Sequence, residues 1–405
     1  MHYSVDSTLS ERVYLDHNAT TPPSALLKSK WSELFELWGN PSSIHTDSRG
    51  PKQYLRETRQ KISQYLECST LELIFNSGAS EGNSTILNSV WLKNGKSRPE
   101  FLISSVEHPS VIKTAHHLIS CGAQVHFIPV FKSGQIDLQF IKEKLSDKTA
   151  LVSVMFANNE TGTLFPISEI AEMAHHAGAL MHSDCVQMLG KSLVSFKSLH
   201  LDYATFSGHK FYGLKGAGFV YARKAAPWIP SVHGGGQERS RRGGTENILG
   251  IASIGISIDQ FDGLDLKIIE MARLRDLLEK SILEKIDHVF ITCGRSARLG
   301  NTSNMILDGV DGETLLMSLD LKGFSVSTGA ACSSGSPEPS PVLLALGLTR
   351  AQAQNSLRVS LGWSTTEKQI HNFTEALVEV VKKLRALNQS PNKNLNNDEP
   401  VHELS

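Results

Sequence analysis

Short apolar runs separated by helix-length spacers dominate the chain between about residues 70 and 225. The runs "LELIFNS", "EFLISS", "QVHFIPV", "ALVSVMFAN", "ALMHSD", "YATFS" and "GFVYAR" predict seven strands. Spacers such as "ISEIAEMAHHAGA", from Ile167 to Ala179, carry a helical period. Apolar strands alternating with helices predict an α/β domain with a mainly parallel seven-stranded sheet, covered on both faces. The last two strands are joined only by "GHKFYGLKGA", too short for a parallel crossover, and are expected to pair antiparallel.

The pattern changes after Gly250. A long helical period in "LKIIEMARLRDLLEKSILEKI" is followed by shorter strands and loops, then by a helix around "EKQIHNFTEALVEVVKKLRAL". This predicts a smaller α+β domain. The Asn-rich end "NQSPNKNLNNDEPVHELS" has no period, and residues 391–405 are expected to be a disordered tail.

A length of 405 residues fits two domains sharing a large core better than one. Forty basic and 41 acidic residues leave a net charge of −1, which argues against direct nucleic-acid binding and against a membrane-surface protein. The N-terminal stretch lacks the apolar core of a signal peptide, and no apolar run is long enough to span a bilayer. Cysteines stand at 68, 121, 185, 293 and 332, without a C-x-x-C pair. An odd, dispersed set favours reduced thiols, as in a cytoplasmic enzyme, over a disulfide framework. No metal-ligand spacing stands out.

The sharpest local signal is "YATFSGHKFYGLKGAGFVYAR", in which an apolar strand runs into Ser207, Gly208, His209 and Lys210. A lysine there is either a solvated residue of a hairpin loop or an amine nucleophile made less basic by partial burial. Asp184 ends another predicted strand in "LMHSDCVQ", where α/β proteins build ligand crevices. It is either a helix cap or the carboxylate partner of a pyridinium nitrogen; with Lys210 as Schiff-base former, the second reading suggests pyridoxal 5'-phosphate. "LIFNSGASEGNSTILNSVWL" reads as strand, turn and a helix with Ile86, Leu87, Val90 and Trp91 on one face. Ser80 falls near the helix start, where free N–H groups favour an anion. The hydroxyls of Ser80 and Ser207 and the His209 imidazole could complete a phosphate cup. Separately, "STGAACSSGSPEPSP" sets Cys332 among small and turn-forming residues, with no helical or strand period.

Taken in order, "YLDHNATTP", "GNPSSIH", "NSGASEGN", "VEHPSV", "NNETG", "HSDCVQ", "FSGHK", "HGGGQERSRRGGTEN", "STGAACSSGSPEPSPVLLALGL" and "NSLRVSLG" span most of the chain. The sequence thereby resembles the group I cysteine desulfurases, pyridoxal-phosphate enzymes of transferase fold type I. That resemblance implies a large cofactor-binding domain over 21–254. It implies a small domain built from 1–20 and 255–390, carrying the loop of Cys332.

The resemblance also implies the site. Lys210 would carry the cofactor and then shuttle protons, and Asp184 would pair with the ring nitrogen. His108 would stack on the ring and act in proton transfer; without the motifs around it, it would be an ordinary loop histidine. Gln187 would bond the phenolic oxygen, with Asn159 close to that oxygen and to the substrate carboxylate. Ala79, Ser80, Ser207 and His209 would hold the phosphate, completed by Thr245 from a neighbouring subunit, which implies an obligate homodimer. Arg358 would clamp the carboxylate of L-cysteine bidentately. Cys332, as thiolate, would take the substrate sulfur as a persulfide. The sulfur would then pass to an acceptor protein, a scaffold or a sulfur carrier, for iron–sulfur cluster assembly or other sulfur modification.

Two positions depart from the commoner family pattern: Ser80 stands where threonine is usual, and Cys185 where alanine is usual. Selenocysteine lyase is the nearest alternative, and a non-catalytic sulfur carrier or scaffold is the alternative from another class. The Ser/Gly/Pro-rich segment after Cys332 resembles the longer mobile loop of group I desulfurases, a resemblance that favours cysteine as substrate. The Lys210, Asp184 and Cys332 set speaks for an enzyme.

Overall fold

The computed structural model describes residues 12–328 and 338–389. Cys332 and the 391–405 tail lie outside the described residues. In chain order the strands are β1 (Val13–Tyr14), β2 (Leu73–Asn76), β3 (Glu100–Ser104), β4 (Gln124–Ile128), β5 (Thr149–Ser153) and β6 (Leu180–Asp184). They continue with β7 (Tyr203–Ser207), β8 (Gly218–Ala222), β9 (Val289–Ile291), β10 (Thr302–Leu307), β11 (Phe324–Ser325) and β12 (Ser356–Ser360).

Seven of them form one sheet in the order β2-β8-β7-β6-β5-β3-β4. Only β8 opposes its neighbours, pairing antiparallel with both β2 and β7. The ten-residue link from β7 allows no crossover, so the chain must return alongside itself. Every residue of β5, β7 and β8 is buried. Helices on both faces cause this, which is why those strands read as continuous apolar runs. One predicted boundary moves. The helix starting at Ile167 ends at His176, short of Ala179, because Gly178 takes φ 69° and turns the chain into β6.

Beyond the large sheet, β12, β10 and β9 form an antiparallel sheet, and β1 pairs in parallel with β11. Helices Leu264–Lys285 and Glu367–Gln389 bury Leu274, Leu278, Phe373 and Leu377 in a core with Met305 and Leu357 from that sheet. Position 13 therefore belongs spatially with residues three hundred positions later. The largest apolar core is not confined to the seven-stranded sheet: it takes in Cys293, Leu299, Ile306 and Leu343 from the C-terminal part. Among the described residues no helix is long and apolar enough to cross a membrane.

Candidate active site

Because every strand of the large sheet except β8 points the same way, their carboxyl ends share one edge. The segments leaving that edge carry the candidate residues. Gly78 and Ala79 follow β2, His108 follows β3, Asn159 follows β5, Asp184 ends β6 and Lys210 follows β7. This is the position at which open α/β sheets bind ligands.

Lys210 closes a single 3-10 turn, Gly208–Lys210, directly after β7. Its Nζ donates to the carbonyls of Asn18 at 2.7 Å and Ala19 at 2.8 Å, tying the N-terminal loop over the sheet edge. Burial lowers its pKa to about 8, helped by the Arg358 charge and opposed by Asp184 and Asp16. A lysine poised near neutrality is a competent nucleophile and proton carrier.

Asp184 is buried, and both its oxygens are held. Oδ1 accepts from the Val186 N–H at 3.0 Å, and Oδ2 from Asn83 Nδ2 at 2.8 Å. Asn83 also donates to Ser110 Oγ at 3.0 Å and accepts from Thr205 Oγ1 at 2.6 Å. Ser110 Oγ lies 2.8 Å from His108 Nδ1, so one chain of polar contacts joins Asp184 to His108. His108 caps the helix Pro109–Ser120, its Nδ1 accepting from the Ser110 N–H at 3.1 Å. His108 is exposed at the sheet edge. Desolvation lowers its pKa, with Asp184 opposing and Lys210 reinforcing, which leaves a neutral imidazole at neutral pH. Behind it, the Glu107 carboxyl is buried and its pKa is driven well up by desolvation and by Asp184.

The helix Ala79–Asn94 starts at Gly78, whose φ of 148° suits glycine and which provides no side-chain cap. A Cβ built there would meet Ser207 Oγ at 3.1 Å. Ser207 Oγ accepts from the Ala79 N–H at 3.3 Å, and Ser80 is exposed beside it. The acidic Glu81 in that first turn is drawn aside by Arg242, at 2.9 Å, and by Ser77. His209 Nδ1 lies 3.0 Å from Thr20 Oγ1, and burial, then Lys210, Lys215 and Lys191, lower its pKa to about 4. The result is an open helix N-terminus ringed by hydroxyls, which suits a phosphate.

Arg358 sits mid-strand in β12 and is 5% exposed. Nη2 pairs with Asp16 at 2.7 Å, Nη1 donates to the Asn159 carbonyl at 3.2 Å, and Nε is buried without a partner. An unspent buried donor beside two spent ones fits an incoming carboxylate. Asn159, half-buried, also accepts from Asn18 Nδ2 at 3.0 Å through its backbone oxygen. Gln187 is buried on the turn after β6 and donates to the Asn18 carbonyl at 3.2 Å.

Thr245 is exposed, following Gly244 at φ 95°. In the neighbouring basic run, Arg241 donates to the carbonyls of Leu71 at 2.7 Å and Leu73 at 2.9 Å and Arg242 pairs with Glu81, while Arg239 is exposed. Cys185 is fully buried beside Asp184, and burial raises its thiol pKa.

Sequence reasoning missed Asn83, Asn18, Asp16 and Lys191, all polar and packed into this site. For Asp16, Asn18 and Lys191 the signal was present in the polar letters of "LDHNATT" and in a lysine closing an otherwise apolar "VQMLGK". Nothing in the chain's periodicity says which of them are buried.

The class-V aminotransferase family model matches residues 13–373. A cysteine desulfurase from Cereibacter sphaeroides is 41% identical over 381 residues, covering 93% of this chain and 97% of the relative. The chain belongs to the cysteine desulfurases. Among solved structures, a NifS-like protein superimposes with a TM-score of 0.86 at 32% identity, covering 92% of this chain and all of that one. SspA in complex with cysteine gives 0.76 at 30% identity, over 86% of this desulfurase-family chain and 98% of that one. The family depends on pyridoxal phosphate. The residues present fit that group: an amine of lowered pKa, an anchored carboxylate, a neutral histidine, an uncapped helix N-terminus and an unspent guanidinium N–H.

Proposed function

We propose that this protein converts L-cysteine to L-alanine and moves the sulfur through a persulfide on Cys332 to an acceptor protein. The unspent buried Nε of Arg358, beside an amine with pKa about 8, carries this reading for the site. Lys210 would hold the cofactor, Asp184 its ring nitrogen, His108 its face, and Gln187 and Asn159 the phenolic oxygen. Ala79, Ser80, Ser207 and His209 would hold its phosphate. When bound, the cofactor supplies an aldehyde for the substrate amine and an electron-accepting ring. Arg358 orients the carboxylate, and Lys210, once freed, carries the α-proton. The neutral His108 accepts the thiol proton of Cys332.

At Cys332 the atoms balance. The Cβ–S bond of the substrate breaks, an S–S bond forms on the enzyme thiol, and carbon takes the proton that completes alanine. Geometry at the flanks supports the thiol's reach. Ser327 exchanges backbone hydrogen bonds with Arg358 itself, and Ser340 Oγ donates to Glu160, next to Asn159. Cys332 lies five residues from Ser327, within about 17 Å of extended chain.

The assembly reading is a homodimer with Thr245 of each subunit completing the other's phosphate cup. Exposed Trp31, Phe35, Trp38 and Ile44 support it, since Trp38 is 73% and Ile44 98% exposed in the single chain. We assign the division into domains at 21–254 and 1–20 with 255–390, a cytoplasmic location, and a role in iron–sulfur cluster assembly or another sulfur modification to the same proposal.

The test is Cys332→Ser. The purified variant is expected to stay yellow, to change its visible spectrum on adding L-cysteine, and to release almost no sulfide. Near-normal desulfuration would reject the persulfide role.

A further inference from the structure

Lys191 is a cationic side chain where burial makes one costly: it is 5% exposed, four residues after Gln187. Its Nζ donates to Gln187 Oε1 and, at 3.1 Å, to Asn18 Oδ1. Desolvation, reinforced by Lys210 and Arg358 and opposed by Asp16, lowers its pKa well below the ordinary lysine value. A neutral amine still has two N–H groups, and both acceptors here are amide oxygens. The pattern therefore holds in either protonation state.

An amide side chain has one accepting end and one donating end. With Oε1 of Gln187 turned to Lys191, its Nε2 is committed to the other side, where it meets the Asn18 carbonyl at 3.2 Å. Asn18 Oδ1 likewise accepts from Lys191 and from Asn301 Nδ2 at 3.1 Å, so its Nδ2 faces Thr302 Oγ1 at 2.8 Å and the Asn159 carbonyl at 3.0 Å. One buried amine thus sets two amides. It also steadies the loop whose carbonyls receive Lys210.

We propose that Lys191 is a positioning residue of the cofactor site, fixing the Gln187 amide so that an N–H and not a C=O is offered to the cofactor's phenolic oxygen. The proposal rests on the reading that Gln187 meets that oxygen. A donor there draws electron density from the phenolate and makes the conjugated nitrogen held by Lys210 less basic. An acceptor would do the reverse.

The visible absorption band of the holoenzyme, titrated with pH, reads this basicity. Lys210, Arg358, Asp16, His17 and His209 are the charged or titratable groups facing Lys191, and all stay unchanged in the variants. Gln187→Ala is expected to raise the midpoint by about one pH unit, the equivalent of one charge-assisted hydrogen bond. Lys191→Met is expected to raise it similarly, and the double variant no further than either single one. A Lys191→Met midpoint within about 0.3 units of the parent, or a shift that adds to that of Gln187→Ala, overturns the proposal. No shift in Gln187→Ala overturns the contact itself, and the proposal with it. If Lys191→Met does not fold, Lys191→Gln, which keeps an N–H donor without the charge, decides. A midpoint near the parent's supports the positioning role, and a shift as large as that of Gln187→Ala refutes it.

Discussion

Replacing Arg358 by lysine keeps the positive charge and removes the planar fork. Two of the three guanidinium nitrogens are already engaged, Nη2 by Asp16 at 2.7 Å and Nη1 by the Asn159 carbonyl at 3.2 Å, while Nε is free. A substrate carboxylate bound bidentately draws on Nε and one reoriented Nη. A lysine reaching the same point as a single ammonium head loses at least one of those charge-assisted bonds, worth about 1.5–3 kcal/mol. That corresponds to a roughly 10- to 150-fold loss of kcat/KM. Because the carboxylate is bound equally before and during bond breaking, the loss is expected in KM, with kcat changed less. The assay is alanine release against L-cysteine concentration, alongside the spectrum without substrate, which the retained charge should leave near the parent's. A KM within threefold of the parent would show that Arg358 serves the Asp16 ion pair alone, and the carboxylate assignment would fall.

Other outcomes follow from the same geometry. The cofactor-free protein is expected to reload pyridoxal phosphate at a rate that rises as pH passes through about 8, where Lys210 loses its proton; a rise only above pH 10 would contradict the lowered basicity. The fully buried His182, with Nδ1 2.8 Å from Ser153 Oγ, has its pKa lowered to about 3 by desolvation. The unfolded chain then binds a proton there below about pH 6.5 that the folded one refuses, so this stability is complete above 6.5 and lost as pH falls toward 3. The slope is ~1.4 kcal/mol per pH unit, and His182→Phe should flatten the fall in urea midpoint between pH 7 and 5; an unchanged fall would reject it. Thr245→Ala is expected to weaken cofactor retention in dialysis without changing the apoprotein's melting temperature, and equal retention would count against the shared cup.

Much of the architecture was legible in the sequence. Continuous apolar runs mean strands buried on both faces, and the short "GHKFYGLKGA" link left β8 no choice but to oppose β7. Asp184 and Lys210 were readable because each sits where a strand ends and the period breaks, and such positions are local in sequence. The strand order was not legible, nor was the pairing of Val13 with Phe324, since contacts between distant segments leave no mark on local periodicity. The Asp16–Arg358 pair, the Asn83 bridge and the Lys191–Gln187–Asn18 cluster were hidden for the same reason. A buried lysine and an exposed one are the same letter. What separates them is desolvation together with the partners that tertiary packing brings within hydrogen-bond reach. The sequence by itself determined which residue types stand at the strand ends; only the fold decided which charges are buried, which amides are locked, and that Nε is the guanidinium nitrogen of Arg358 left without a partner.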